Sequence, residues 1–251
     1  MNPVADPGEL ATLFRLDPET HVYGLADLEE PYWSASNWYR NGDAAVGLIS
    51  TGNDWVTGYA MSGVDPKGSL RLFGEVHSQL PPATWVTGPI GLSEYIGSRR
   101  AITPKGLHWR MILDGPDRLD PDRGVVPLSG SDVDAVRDLH SSDPGQTFWH
   151  PRMLDRNPYV GIWEGDRLVA SAGTHVASGT YGVAAIGAVI TRPSHRGQGL
   201  ATAVLSTLCR LLRGRYATIG LNVEVANSPA VALYDGLGFR RAFQYEEVEL
   251  L

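Results

Sequence analysis

From Ala188 to Thr202 the chain reads Ala-Val-Ile-Thr-Arg-Pro-Ser-His-Arg-Gly-Gln-Gly-Leu-Ala-Thr. An apolar, strand-like run passes through a tight glycine-bearing turn straight into a helical pattern. Arg196, Gly199 and Ala201 give the turn the form Arg-x-x-Gly-x-Ala. A strand feeding a helix with no spacer is an α/β element, in which the sheet has helices packed on it. The turn also aims several backbone N–H groups, and the positive end of a helix dipole, at one point, where an anionic diphosphate fits. Gly197 and Gly199 leave no side chain between the backbone and that anion. Glycines that serve only the turn's own dihedrals read the same way, so the turn alone leaves both readings open.

A second signal follows. Ile219 to Val225 is strand-like, and Asn227-Ser-Pro-Ala-Val-Ala-Leu-Tyr-Asp-Gly-Leu-Gly-Phe239 comes next. Ser228 suits an N-cap, Pro229 the first helical position and Gly238 a C-terminal stop. Spacing predicts that Ala230, Leu233, Tyr234 and Leu237 share one face. This couplet closely resembles the GCN5-related N-acetyltransferase (GNAT) superfamily. There Arg-x-x-Gly-x-Gly/Ala is the pyrophosphate loop, and Asn-x-x-Ala-x-x-Leu-Tyr-x-x-x-Gly-Phe is the second cofactor segment. The likeness extends upstream. Val125–Leu128 and Ser131–His140 look like the first strand and helix of that fold. Val160–Val176 reads as a hairpin turning at Glu164-Gly-Asp-Arg167, and Gly182–Thr191 as the strand before the loop. The match covers about residues 124–251.

The resemblance implies an acyl transfer, most simply of acetyl, from acetyl-CoA as co-substrate to a primary amine by direct attack in a ternary complex. It implies that the pantetheine arm pairs with Val189, Ile190 and Thr191, with an N–H near Val189 polarising the thioester carbonyl. Arg196, Gly197, Gln198, Gly199, Leu200, Ala201 and Thr202 would hold the pyrophosphate. Tyr234 is the family's usual proton donor to the departing thiolate, and Asn227 would bond the pantetheine arm. The general base departs from the family pattern. Gly182–Thr191 carries no carboxylate, and Asn222 stands where some relatives have a glutamate. His175 has a near-neutral intrinsic pKa and is the candidate base, directly or through water. Glu224, two residues beyond Asn222 and so on its face, is the alternative. His195 is expected to be exposed.

Two rival readings stand beside this one. Gly197-x-Gly199 after a strand suggests a dinucleotide module, but Thr202 and Asn222 stand where its third glycine and ribose-binding acid belong. The missing carboxylate also fits a non-catalytic acyl-CoA sensor or regulatory protein.

At 251 residues the chain has room for two domains, and 43% hydrophobic with 20% charged residues describes a soluble globular protein. Asp114–Gly124 is polar and rich in proline and glycine, so residues 1–115 and 124–251 are read as domains joined by a linker at 116–123. In the first half, Ala44–Ser50 and Trp55–Met61 read as strands joined by a Thr51–Asp54 turn. Leu70–Leu80 reads as a helix, Trp85–Ile90 as a strand and Leu92–Arg99 as a helix. That order resembles a GNAT half without its phosphate turn. The expected class is therefore α/β (α+β): a C-terminal GNAT-fold domain with a mixed, splayed central sheet flanked by helices, and an N-terminal domain that is degenerate GNAT-like or α+β.

The net charge of −7 argues against nucleic acid. No run approaches a membrane span, and the histidines are too dispersed for a metal site. A small-molecule amine is a better acceptor than a protein, and a homodimer stays open. The lone cysteine, Cys209, shares an apolar helix face with Leu205 and Leu212, which reads as an inert thiol in a reducing cytoplasm. Trp33 and Trp38, in what reads as a loop, are candidates to line an acceptor pocket.

Overall fold

The structure, a computed structural model, describes residues 2–50, 56–115, 123–144 and 149–251. The Thr51–Asp54 turn, Trp55 and all of the 116–123 linker except Arg123 lie outside the described residues. The chain opens with helices α1 (Pro7–Phe14) and α2 (Val22–Ala26), then strands β1 (Ser36–Asn41), β2 (Ala44–Ser50) and β3 (Val56–Tyr59). Next come α3 (Pro66–Val76), β4 (Trp85–Gly88), α4 (Leu92–Gly97) and β5 (Ile102–Leu113). They are followed by β6 (Val126–Leu128), α5 (Val133–Ser141), α6 (Arg152–Arg156), β7 (Tyr159–Glu164), β8 (Arg167–Ser178) and β9 (Val183–Thr191). The chain ends with α7 (Leu200–Arg213), β10 (Thr218–Glu224), α8 (Ser228–Gly236) and β11 (Phe239–Leu250).

Two compact units result, and they are not consecutive blocks of sequence. One comprises Met1–Arg110, Val223–Ser228 and Arg241–Leu251; the other comprises Met111–Asn222 and Pro229–Arg240. The physical reason lies in strand pairing. Glu246–Glu249 of β11 pair antiparallel with Trp85–Gly88 of β4, so the chain's last strand joins the first unit's sheet.

In the first unit the strands run in the order β1-β2-β3-β4-β11. β1, β2 and β3 are antiparallel neighbours, whereas β3 and β4 are parallel, with Thr57 opposite Trp85. A parallel pair needs a crossover, and α3 supplies it. Asp65 starts that helix: its Oδ1 accepts the Gly68 N–H at 2.8 Å, and Pro66 takes the first helical position. The helix expected over Leu70–Leu80 therefore begins earlier, and a 3₁₀ turn at His77–Gln79 replaces its last residues. The core packs Leu72, Phe73 and Val76 of α3 against Val46, Leu48, Val86 and Val248 of the sheet. Each such side chain contributes ~1.5–3 kcal/mol when fully buried. Trp38 is a buried strand residue of the first unit and not part of a loop. It is 1% exposed on β1, its ring stands edge-on to Phe14, and a Cβ on its cross-strand partner Gly47 would lie 2.8 Å from it. That removes Trp38 as a pocket wall; Trp33, in a 3₁₀ turn, is half-buried.

The second unit also joins a parallel strand to antiparallel ones through a helix. β6, β7, β8 and β9 are antiparallel, and β10 adds parallel to β9 after the α7 crossover. Its core sets Val136 and Leu139 of α5 and Leu154 of α6 against Leu128, Tyr159, Leu168, Ala188 and Ile190. Cys209 is fully buried on α7, with Leu205, Leu208 and Leu212. Among the described residues no helix is long and apolar enough to cross a membrane.

The β8–β9 ladder carries two opposed irregularities. Ser171 faces Ile190 but Gly173 faces Gly187, which leaves one extra residue in β9. Thr174 faces Ile186 but Val176 faces Ala185, which leaves His175 as an extra residue in β8. The second slip restores the register that the first displaced. Between the slips the Tyr159 ring lies so close over Gly173 that a Cβ there would come within 2.2 Å of it. Gly173→Ala should therefore destabilise the fold by about 1–3 kcal/mol through overpacking. Gly214→Ala, at a helix end with open space around it, serves as the control and should be nearly neutral. Urea unfolding of the two variants checks this.

Candidate active site

The turn between β9 and α7 is held open by backbone geometry. Gly197 and Gly199 have φ of +76° and +77°, a left-handed conformation that glycine adopts without Cβ strain. Gly199 is the N-cap of α7 and no side chain caps that helix. Its first N–H groups have no intrahelical acceptor by construction, because the ladder begins with the Ala203 N–H to the Gly199 carbonyl at 3.1 Å. Gly197, Gln198 and Gly199 are exposed, and Leu200, Ala201 and Thr202 are half-buried. A 14-residue helix thus presents uncapped amides and its positive dipole end to solvent.

Two arginines stand at this turn. Arg196 is half exposed and its guanidinium pairs with Asp143. Arg123 is exposed and donates from Nη1 to the Gln198 carbonyl at 3.0 Å. Arg123 was not foreseen as a site residue. It lies 75 residues from its partner and the sequence reads there as linker. Arg192 is buried and locks the base of the turn, donating to Asp138 Oδ2 at 2.6 Å and the Leu168 carbonyl at 3.1 Å. His195 differs from the expectation of exposure. Its side chain keeps 17% exposure because Nε2 pairs with Glu164 Oε2 at 2.9 Å and Nδ1 lies 2.8 Å from the Ser194 hydroxyl.

Upstream of the turn, β9 opens on one side. Its parallel ladder with β10 runs from Val183↔Thr218 to Ile186↔Leu221 and ends there. Val189, Ile190 and Thr191 lie beyond that point, and Ile190 and Thr191 pair with Ser171 and Ala170 of β8. The extra residue in β9 coincides with Ala188, whose φ of +51° is left-handed although it carries a side chain. His175, the extra residue of β8, lays its imidazole against Gly187, where a Cβ would lie 2.2 Å from Nε2. His175 is half-buried.

Tyr234 is 8% exposed on α8, and its ring meets Phe239 edge-on at 5.8 Å. The buried stripe of that helix is Val231 and Tyr234, continued by Leu237 just past the helix end, and Gly238 stops it with φ +91°. Asn227 is exposed, and its N–H donates to the Glu224 carbonyl at 3.0 Å. Asn227 and Glu224 belong to the first unit, whereas His175, Tyr234 and the turn belong to the second. Glu224 is exposed; Asn222 is half-buried with its Oδ1 lacking a partner among the described residues. The second unit also brings together residues that the sequence did not flag. His140, in the last turn of α5, stacks on Trp149 at 5.2 Å and 13°. Burial, with a smaller push from His175, lowers His140 to about 4. Among the described residues no group of three or more His, Cys, Asp or Glu side chains converges as metal ligands would.

Residues 132–239 match the model of the acetyltransferase (GNAT) family. Over 58 residues the chain is 34% identical to the mouse "Probable N-acetyltransferase family 8 member 5", covering 23% of this chain and 26% of the mouse protein. The aligned part thus spans about a quarter of that relative's length. A Drosophila protein of solved structure superposes over 100% of this chain and 98% of its own, with a TM-score of 0.72 at 17% identity. A GCN5-related N-acetyltransferase-like protein from Streptococcus suis covers 98% of both chains, with a TM-score of 0.61 at 17% identity. At these identities the two structures share the fold.

The lowered His140 makes a stability prediction. Below pH 6.5 the unfolded chain protonates this histidine, whereas the folded chain resists until about pH 4. The unfolded state then binds more protons, so stability falls as pH drops from 6.5 towards 4. His140→Phe keeps a ring against Trp149 and removes the titration. Its melting temperature should decline less steeply than the wild type's across that window, as read by a pH series of thermal melts.

Proposed function

We propose that the protein, whose residues 132–239 match the model of the acetyltransferase (GNAT) family, transfers an acetyl group from coenzyme A to a primary amine by direct attack in a ternary complex. The observation that carries the reading is the continuity of two features in one stretch. An open strand edge with a bulge runs directly into a helix whose first amides are uncapped.

In this reading the N–H groups of Gly197–Thr202 hold the diphosphate, with Arg196 and the newly found Arg123 adding charge. The pantetheine arm lies along Val189–Thr191. The bulge at Ala188 frees the Val189 N–H to polarise the thioester carbonyl. The amine nitrogen attacks that carbonyl carbon, and its proton leaves to His175 directly or through water. The carbon–sulfur bond then breaks, and Tyr234 protonates the thiolate. The first unit is a degenerate repeat of the same fold. Its strand–helix–strand unit has the same order, but the Asp65 carboxylate already sits on the first turn of α3, where an anion would have to bind. The acceptor is a small-molecule amine, and the buried Cys209 thiol suits a reducing cytoplasm.

Calorimetric titration should give one coenzyme A per chain. Ala201→Glu puts a negative charge in the first turn of α7, where it favours the helix by up to ~1 kcal/mol. The melting temperature should hold while coenzyme A affinity falls at least ~10-fold, because like charges then share the site. Two molecules bound per chain, or affinity unchanged by Ala201→Glu, would contradict the assignment.

Thiol release with a panel of amines tests the chemistry. Tyr234→Phe should lower turnover ~10²-fold or more with cofactor affinity and melting temperature retained. Binding of acetyl-CoA with no thiol released from any amine would instead favour an acyl-CoA sensor, a reading that the lack of a carboxylate on β9 already supports.

A further inference from the structure

The first unit buries a cation that the acyl-transfer chemistry does not use. Arg110, on β5, is 2% exposed. Its guanidinium carbon lies 4.9 Å from the centre of the Tyr23 ring, 5.9 Å from that of Tyr245 and 6.0 Å from that of Phe243. Nε and Nη1 are buried and have no hydrogen-bond partner among the described residues. Aromatic faces soften a buried charge but do not accept its N–H groups as a carboxylate does.

Among the described residues no carboxylate accepts from Nε or Nη1. Glu247 spends its oxygens elsewhere. Oε2 accepts from Trp85 Nε1 at 2.7 Å and lies 3.6 Å from His108 Nε2, and Oε1 accepts from the Tyr245 hydroxyl at 2.9 Å. Asp27 is pushed up to about 8 by burial, so it is mostly protonated at neutral pH. His21, lowered to about 4 chiefly by burial, is neutral there as well. A buried guanidinium without a matched anion is strongly unfavourable, and its planar fork fits a carboxylate in two-point contact. Two of the aromatic members, Tyr23 and Phe243, are half-buried, whereas Tyr245 is fully buried.

We propose that Arg110, walled by Tyr23, Phe243 and Tyr245, is the receptor for the carboxylate of a small molecule bound in the first unit. The rings supply the apolar wall for the body of that ligand, and Arg110 supplies the counter-charge. The inference stands apart from the coenzyme A reading, because every residue in it belongs to the first unit and none has a role in that reading.

The test uses the full chain with sodium benzoate as the charged probe and benzamide as its neutral isostere, at constant ionic strength. Wild-type protein should bind benzoate saturably in calorimetry and show no saturable binding of benzamide. Arg110→Met should lower benzoate affinity at least ~10-fold, and its ligand-free melting temperature should hold or rise, since an unmatched buried charge has been replaced by an apolar side chain. Coenzyme A affinity should be unchanged in that variant, which separates this proposal from the acyl-transfer reading. Arg110→Lys keeps the charge and loses the fork, and should also weaken benzoate at least ~10-fold, which covers the case in which Arg110→Met fails to fold. Absence of benzoate binding to the wild type, equal binding of benzamide, or undiminished binding in either variant overturns the proposal.

Discussion

One extra residue in β9 governs how the second unit's sheet opens. A regular strand divides its amides between two neighbours. Here the parallel ladder with β10 ends at Ile186, and the surplus residue near Ala188 turns the backbone just beyond it. The left-handed conformation of Ala188 costs ~1–2 kcal/mol. Burial of the Ala188 methyl and the Ile190 side chain among Leu139, Tyr159 and Leu168 offsets that cost. A second surplus residue, His175 in β8, restores the pairing, and its imidazole comes to rest on Gly187. The glycines at 173 and 187 face each other because a ring lies against each of them. The irregularity is thus a coordinated piece of packing and not a frayed strand.

The two strand–helix–strand units illustrate how one side chain changes what a helix end can do. Both α3 and α7 cross over between parallel strands. α3 is capped by its own aspartate, with Pro66 behind it, so its first amides face a carboxylate from the same chain. α7 is capped by a glycine in left-handed conformation and faces solvent. The dipole is the same in kind at both ends. What differs is that a carboxylate of the chain caps α3 and no side chain caps α7.

The interior carries its charges in two contrasting ways. Arg192 is 4% exposed and is met by Asp138 and the Leu168 carbonyl, so its role is to brace the turn. Arg110 is 2% exposed and is met by three aromatic rings. The first arrangement meets its charge with a carboxylate of the same chain and leaves only Arg192 Nε without a partner among the described residues. The second leaves Nε and Nη1 without an acceptor among the described residues.

Local pattern determined much of this protein. The Arg-x-x-Gly-x-Ala turn, the Asn227–Phe239 segment, the β7–β8 hairpin and the buried Cys209 all rest on neighbours within a few residues, so composition and spacing revealed them. The start of α3 is also a local signal, in Asp65-Pro66, that the longer apolar pattern obscured. Other features needed partners remote in sequence. β11 joins β4 across about 160 residues, so the units interleave where the chain reads as two blocks. Trp38 sinks into a core because Gly47 lies opposite it, Arg123 reaches Gln198, and His140 meets Trp149 and His175. Periodicity shows which face of an element is apolar. It does not show which remote face will cover it, and only the folded packing of one element on another decides where a bulge falls, which arginine is matched and which histidine loses its charge.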